Sequence, residues 1–225
     1  MRAAPRAPAP FPMKKVLFLH GGWEGHSPEK IVRLFAADLQ AHGLEPEIVS
    51  TLEPLADADK LKTYALVFPC WTMGQLTPEQ EKGLVAAVRS GVGLAGIHGG
   101  MGDAFRGRLD YEWMVGGHFV GHPHIGDYVV RVTDRAHPVT AGLPAEFAYS
   151  SEQYYLLVDP AVHVLADTAY AHEGRVVTMP VAWTKTWGTG RVFYQSLGHV
   201  PEEFEKFPAA RRLTVQGCLW VAGLL

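Results

Sequence analysis

Histidines set at the ends of strand-like runs are the residues of this sequence best placed to do chemistry. The run Gly93-Leu94-Ala95-Gly96-Ile97 breaks at His98-Gly99-Gly100. A buried strand that delivers one side chain onto a sharp, small-residue turn has the form of a nucleophile elbow. Hydrolases of that design carry Ser or Cys at the exposed position. Here it is His98, whose imidazole can act as general base or metal ligand but is no ready covalent nucleophile. The plainer alternative is a strand-end histidine bonded to a loop carbonyl. Arg191 to Leu197 is another strand-like run ending in a turn, Gly198-His199. His199 is therefore a second candidate, with a helix cap as its plainer role. His26 follows the first strand in Gly25-His26-Ser27. It either converges with His98 at the same sheet edge or accepts an N–H at the start of the next helix.

Three more histidines, His118, His122 and His124, sit in GGHFVGHPHIG. Gly117, Gly121 and Pro123 argue against a helix, so the i, i+4 pairing of helical metal motifs does not apply. The segment reads as a loop with structural or substrate-lining histidines, His118 being the one expected to face the pocket. Glu152 and Tyr154 lie two apart and share a face if the segment is extended. A carboxylate beside a phenol suits a sugar-hydroxyl clamp or an acid–base pair; an ordinary surface strand would also contain them. Trp23, Trp71, Trp113 and Trp183 lie in or beside these segments, and only Trp23 and Trp71 fall in candidate rim loops. Their faces suit the C–H faces of sugars, and they are equally ordinary as core residues. His137-Pro138, Gly142 and Pro144 read as a local turn and belong to the architecture.

The elements that position these residues follow from hydrophobic pattern. Strands are expected near 15–20, 46–50, 64–69 and 92–97, as short apolar runs suited to burial on both faces. Between them, Ser27-Pro28 opens a helix with Ile31, Leu34, Phe35 and Leu39 on one stripe, stopped by Gly43. Thr77-Pro78 opens another that ends near Gly91. This β-α-β-α alternation implies a doubly wound sheet, in which ligands bind beyond the carboxyl ends of the strands. Three segments fall there: His20 to His26, Pro69 to Gly74 and His98 to Asp103. The second half has strand-like runs near 128–132, 162–165, 176–183 and 191–196 without long helices between them, which suggests an antiparallel extension. A last helix is expected from Glu202 to Leu225.

The chain has 225 residues, 48% hydrophobic and 19% charged, with a net charge of −3. That is a globular composition without the basic footprint of a nucleic-acid binder. Two cysteines, Cys70 and Cys218, make no disulfide framework and no cysteine-rich zinc site. Residues 1–12, MRAAPRAPAPFP, are expected to be a disordered leader, too proline-broken for a secretory signal. Residues 13–225 are expected to form one domain. No apolar run reaches the roughly 18 residues of a membrane span, so no membrane partner and a cytoplasmic location are expected.

Taken in order, GIHGGMGD, GGHFVGHP, DRAHPVTAGLP, SEQYY, MPVAW and GRVFYQSLGH resemble the ThuA-like (trehalose utilisation) family across most of residues 14–222. The resemblance implies a class I glutamine amidotransferase-like fold, a flavodoxin-like three-layer α/β sandwich with a mainly parallel sheet, lacking that superfold's cysteine. His26, His118, His122, Glu152 and Tyr154 match family positions. Two departures stand out. The family usually reads His-Ala-Ala where this chain has His98-Gly99-Gly100, and it usually has Asp-Glu where this chain has Ser151-Glu152.

The resemblance implies a protein that acts on or binds a small-molecule sugar, a trehalose-type disaccharide or a keto-sugar. His98, Glu152, His199 and Tyr154 are the expected catalytic residues. His26, Asp103, His118, Trp23 and Trp71 are the expected substrate contacts. If a divalent metal such as zinc is the cofactor, His98, His26 and His199 are its expected ligands. The alternative is a non-catalytic sugar-binding or regulatory domain. A working glutamine amidotransferase is not expected, because no cysteine occupies an elbow. The oligomeric state, a homo-oligomer included, stays open.

Overall fold

The structure is a computed structural model that describes residues 13–225; the expected leader, 1–12, lies outside them. Nine strands form one mixed sheet in the order β2-β1-β3-β4-β9-β8-β7-β5-β6. The parallel part comprises β1 (Lys15–Gly22), β2 (Glu45–Val49), β3 (Tyr64–Thr72), β4 (Gly93–Ile97) and β9 (Gly190–Gln195). The antiparallel part comprises β5 (Gly117–Val132), β6 (Glu146–Val158), β7 (His163–His172) and β8 (Arg175–Trp187).

The continuous apolar runs are continuous because both sheet faces are covered. Along β1, Val16 and Phe18 enter one core with Phe35, Phe68, Phe193 and Leu213. Leu17 and Leu19 enter the other with Val67, Leu84, Val88 and Trp183. The period-two pleat sends neighbours to opposite faces. Helices α1 (Pro28–Ala41) and α7 (Pro208–Val221) cover the first core. The second lies under α2 (Ala58–Leu61), α3 (Pro78–Arg89) and α5 (Leu109–Val115). The remaining short helices, α4 (His98–Gly102) and α6 (Glu202–Lys206), follow β4 and precede α7. Thr77 starts α3 through a capping box: its hydroxyl accepts from Gln80 N, and Gln80 Oε1 accepts from Thr77 N.

Two expectations give way. The single last helix is broken, because Pro208 disfavours helical geometry at Phe207, which sits at φ −122, ψ 78. The histidine segment 118–124 is no loop but the first half of β5, paired with β6. Register shifts between Phe119 and Gly121 and between Gly121 and His124 absorb the glycine and Pro123, whose missing N–H is tolerated at a bulge.

Candidate functional site

The site is built where β1, β3, β4 and β9 end, with β6 alongside. His98 is the first residue after β4 and sits at φ +45, in the left-handed region that strains a side-chain-bearing residue. Its backbone carbonyl accepts the Tyr194 hydroxyl from β9 at 3.1 Å. Its Nδ1 donates to the Ser196 carbonyl at 2.8 Å, which leaves Nε2 bare in the neutral ring. That Nε2 lies 3.3 Å from Glu152 Oε2 and 3.4 Å from His199 Nδ1. His199 Nδ1 in turn lies 3.6 Å from Glu152 Oε1.

His26 completes the cluster: a ligand atom from each of His26, His98, Glu152 and His199 lies within 4.8 Å of all the others. His26 does not cap α1; its Nδ1 pairs with Thr72 Oγ1, at the end of β3, at 2.6 Å. Gly99 makes room for this ring, since a Cβ there would stand 2.5 Å from His26 Cε1. Tyr154 stacks on His98 with ring centroids 4.1 Å apart, and Trp23, 47% exposed, sets its edge against His26 at 4.6 Å.

The electrostatics follow from this crowding. Burial, helped by the neighbouring His98 and His199, drives the His26 pKa from 6.5 down to about 3, so the ring is neutral at neutral pH. Burial alone would raise the Glu152 carboxyl. The hydrogen bonds and charges of His199 and His98 overcome it and hold Glu152 well below the carboxylate range. Glu152 is therefore an ionised acceptor, not a resting acid. Its bond lifts His199 above the ordinary imidazole value, against the opposing effect of burial. Burial holds the Tyr154 phenol far above its ordinary value.

The other expected contacts lie elsewhere. His118 pairs with Glu112 on α5 at 3.3 Å. His122 is the β5 histidine that reaches the cluster, with Nε2 3.6 Å from Glu152 Oε1. His124 donates to the Asp127 carbonyl. Asp103 is buried and spanned by the Arg106 guanidinium at 2.5 and 2.8 Å, so its charge is already met. Trp71 packs over Gly21 and beside Gly74. Thr72 and the Ser196 carbonyl had no motif to announce them. Cys70 lies under Gly100, with its thiol pushed up to about 12 by burial, and is no thiolate.

These observations define an α/β protein that carries a histidine on the elbow and collects two further imidazoles and one carboxylate around it. A family profile described as ThuA, trehalose utilisation, matches residues 15–221, and the chain belongs to that family. Solved structures share the fold. A ThuA-like protein from Bacteroides uniformis superposes with a TM-score of 0.76 at 22% identity, covering 97% of this chain and 95% of that one. Another, from Parabacteroides merdae, gives 0.75 at 18%, covering 94% and 90%. Part of Gan42B, a GH42 β-galactosidase from G. stearothermophilus, gives 0.54 at 13%, covering 82% of this chain and 27% of that one. No curated protein matches the sequence. Among the described residues no helix is long and apolar enough to cross a membrane.

Proposed function

We propose that the cluster is a mononuclear divalent-metal centre acting on a carbohydrate, a trehalose-type disaccharide or its keto derivative. One observation carries the reading: His98 Nε2, His199 Nδ1 and the Glu152 carboxylate converge within 3.3–3.6 Å, and with both rings neutral they hold too few protons to satisfy one another. His98 Nε2 and Glu152 Oε2 face each other at 3.3 Å, although His98 has given its neutral-ring proton to Ser196. A single proton on His199 Nδ1 can satisfy only one of its two neighbours. A cation satisfies all three at once. In a tetrahedral zinc site with bonds of about 2.0–2.1 Å, ligand atoms stand about 3.4 Å apart. Here His98 Nε2 lies 3.3 Å from Glu152 Oε2 and 3.4 Å from His199 Nδ1, and His199 Nδ1 lies 3.6 Å from the other carboxylate oxygen, Oε1.

In this reading His98, Glu152 and His199 hold the ion, and His26 is either the fourth ligand or the wall beside an open position. The Ser196 carbonyl and Thr72 hydroxyl fix the His98 and His26 rings from behind, as outer partners of metal-bound histidines do. The ion would polarise a sugar carbonyl or hydroxyl, or activate a water. Trp23 offers its exposed ring to the sugar C–H face. His122, 40% exposed and 3.6 Å from Glu152 Oε1, lines the solvent side of the cleft. A paired-carboxylate glycosidase mechanism is disfavoured, because it needs two placed acids, and the cluster contains Glu152 alone. We read the parallel strand order 2-1-3-4-9 as the flavodoxin-like half of the fold, with the cluster beyond its strand ends.

The test is turnover of trehalose and its keto derivatives by metal-loaded protein and by Glu152→Gln. Turnover should fall by at least about 10–100-fold, the worth of a group that orients the ligands of a metal site, because the ion loses its anionic ligand, with sugar binding retained. No turnover in the wild type together with unchanged sugar binding in the variant would favour a binding domain instead.

A further inference from the structure

We infer that Glu203 is the positioning residue of the histidine–carboxylate cluster, tying the His199 turn to the strand that carries Glu152. The inference rests on reading that cluster as the functional centre, and not on what binds there. Glu203 lies on α6 and is no member of the cluster. Its Oε2 accepts the His199 backbone N–H at 3.0 Å and the Tyr149 hydroxyl at 2.6 Å. Its Oε1 accepts the Ser151 hydroxyl at 2.6 Å. The Tyr149 oxygen also accepts from Gly198 N at 2.9 Å. One carboxylate thus grips two residues on β6, one of them next to Glu152, and His199 of the turn that presents the second imidazole, and it reaches Gly198 of that turn through the Tyr149 hydroxyl.

Both segments need the grip. β6 is an edge strand with β5 as its neighbour in the sheet, and the His199 turn lies beyond the end of β9. Backbone pairing fixes neither segment relative to the other. The Glu152-to-His199 separation is set across this gap, and charge-assisted hydrogen bonds are the strong, directional kind suited to setting it. The same contact accounts for Ser151. An aspartate at 151 would put a second carboxylate where Glu203 Oε1 already stands, and like charges in contact repel. In this chain the acid sits on the helix, and the strand supplies the hydroxyl that meets it.

The test reads the ring nitrogens of His199 by long-range ¹H–¹⁵N correlation in the metal-free protein, then titrates Zn²⁺ alone into the same samples. Wild type should show the distinct nitrogen shifts of a held ring. Glu203→Ala should move them toward averaged values and weaken Zn²⁺ binding about 10–100-fold, the usual worth of an outer partner of a metal site. Glu203→Gln should restore both readouts, since its amide oxygen can still accept from Tyr149 and His199 while its NH₂ donates to Ser151. A folded Glu203→Ala protein that melts lower but keeps wild-type His199 shifts and Zn²⁺ affinity overturns the inference, because it marks Glu203 as structural only. If Glu203→Ala does not fold, Glu203→Gln decides alone: averaged His199 shifts there overturn it. A wild type that takes up no zinc sinks the metal reading, while the His199 shifts still decide the role of Glu203.

Discussion

His98 gives its Nδ1 proton to the Ser196 carbonyl, 2.8 Å away, and that bond decides what the rest of the imidazole can do. The ring is turned so that Nε2 points at the Glu152 carboxylate, bare in the neutral ring and a donor in the imidazolium. Ser196 lies just past the end of β9 and His98 at the end of β4, neighbouring parallel strands. The sheet itself therefore sets the tautomer. An arrangement of this kind is unfavourable on its own and becomes favourable once a cation or a proton enters.

The room for His26 depends on Gly99. Replacing Gly99 by Ala places a methyl 2.5 Å from His26 Cε1 and 3.2 Å from Thr72 Cγ2. The ring must then leave its place against the elbow. Overpacking of this kind costs about 1–3 kcal/mol, to be read by denaturant unfolding. Zn²⁺ affinity should fall about tenfold in isothermal titration, as for other disturbances of ligand orientation. Unchanged affinity would remove His26 from the metal site.

The low pKa of His26 makes metal-free stability pH-dependent in a defined direction. Its folded value, about 3, lies below the ordinary 6.5. Between those limits the unfolded chain binds more protons than the native one, so stability is full above pH 6.5 and is lost as pH falls toward 3. The slope from this one group is at most about 1.4 kcal/mol per pH unit. Glu152, also lowered, acts in the same direction but only below the ordinary carboxylate range. His199, raised, acts in the opposite direction as pH rises through its folded value. Between pH 5 and 6.5 His26 acts together with His137, which burial also lowers, so in urea unfolding the difference between wild type and His26→Asn reads the His26 share, and the variant should show the shallower slope. An equal slope in both proteins would contradict the buried neutral imidazole.

The parallel half of this architecture was legible because its strands are buried on both faces. Val16 to Leu19 and Leu66 to Phe68 are unbroken apolar runs, and small residues mark the turns that present the buried His98 and the half-buried His199. Of the β5–β6 ribbon only the stretch near 128–132 was legible. The first half of β5 holds histidines, glycines and a proline, and no alternation survives its two bulges. The same bulges separate His118, expected to face the pocket and paired with Glu112, from His122, which reaches Glu152. In a regular strand both would share a face; each register shift changes which face a residue takes. Glu203 carried no signal at all. Its role comes from the packing of α6 against Tyr149 and Ser151, more than fifty residues earlier in the chain.

Cys70 should behave as a core residue. Its thiol is buried and pushed up to about 12. Thiol-alkylating reagents at pH 8 should leave it unmodified in the native protein and label it only after unfolding, as mass spectrometry would show. Rapid native labelling at Cys70, with loss of sugar turnover, would reopen a thiol-based mechanism.

The most direct test of the metal reading is an anomalous difference map at the zinc edge from crystals grown with Zn²⁺. The account predicts one strong peak about 2.0–2.2 Å from His98 Nε2, His199 Nδ1 and a Glu152 oxygen, lost from crystals of His98→Ala. No peak in that cluster, or a peak carried only by His118, His124 or His163, would contradict it.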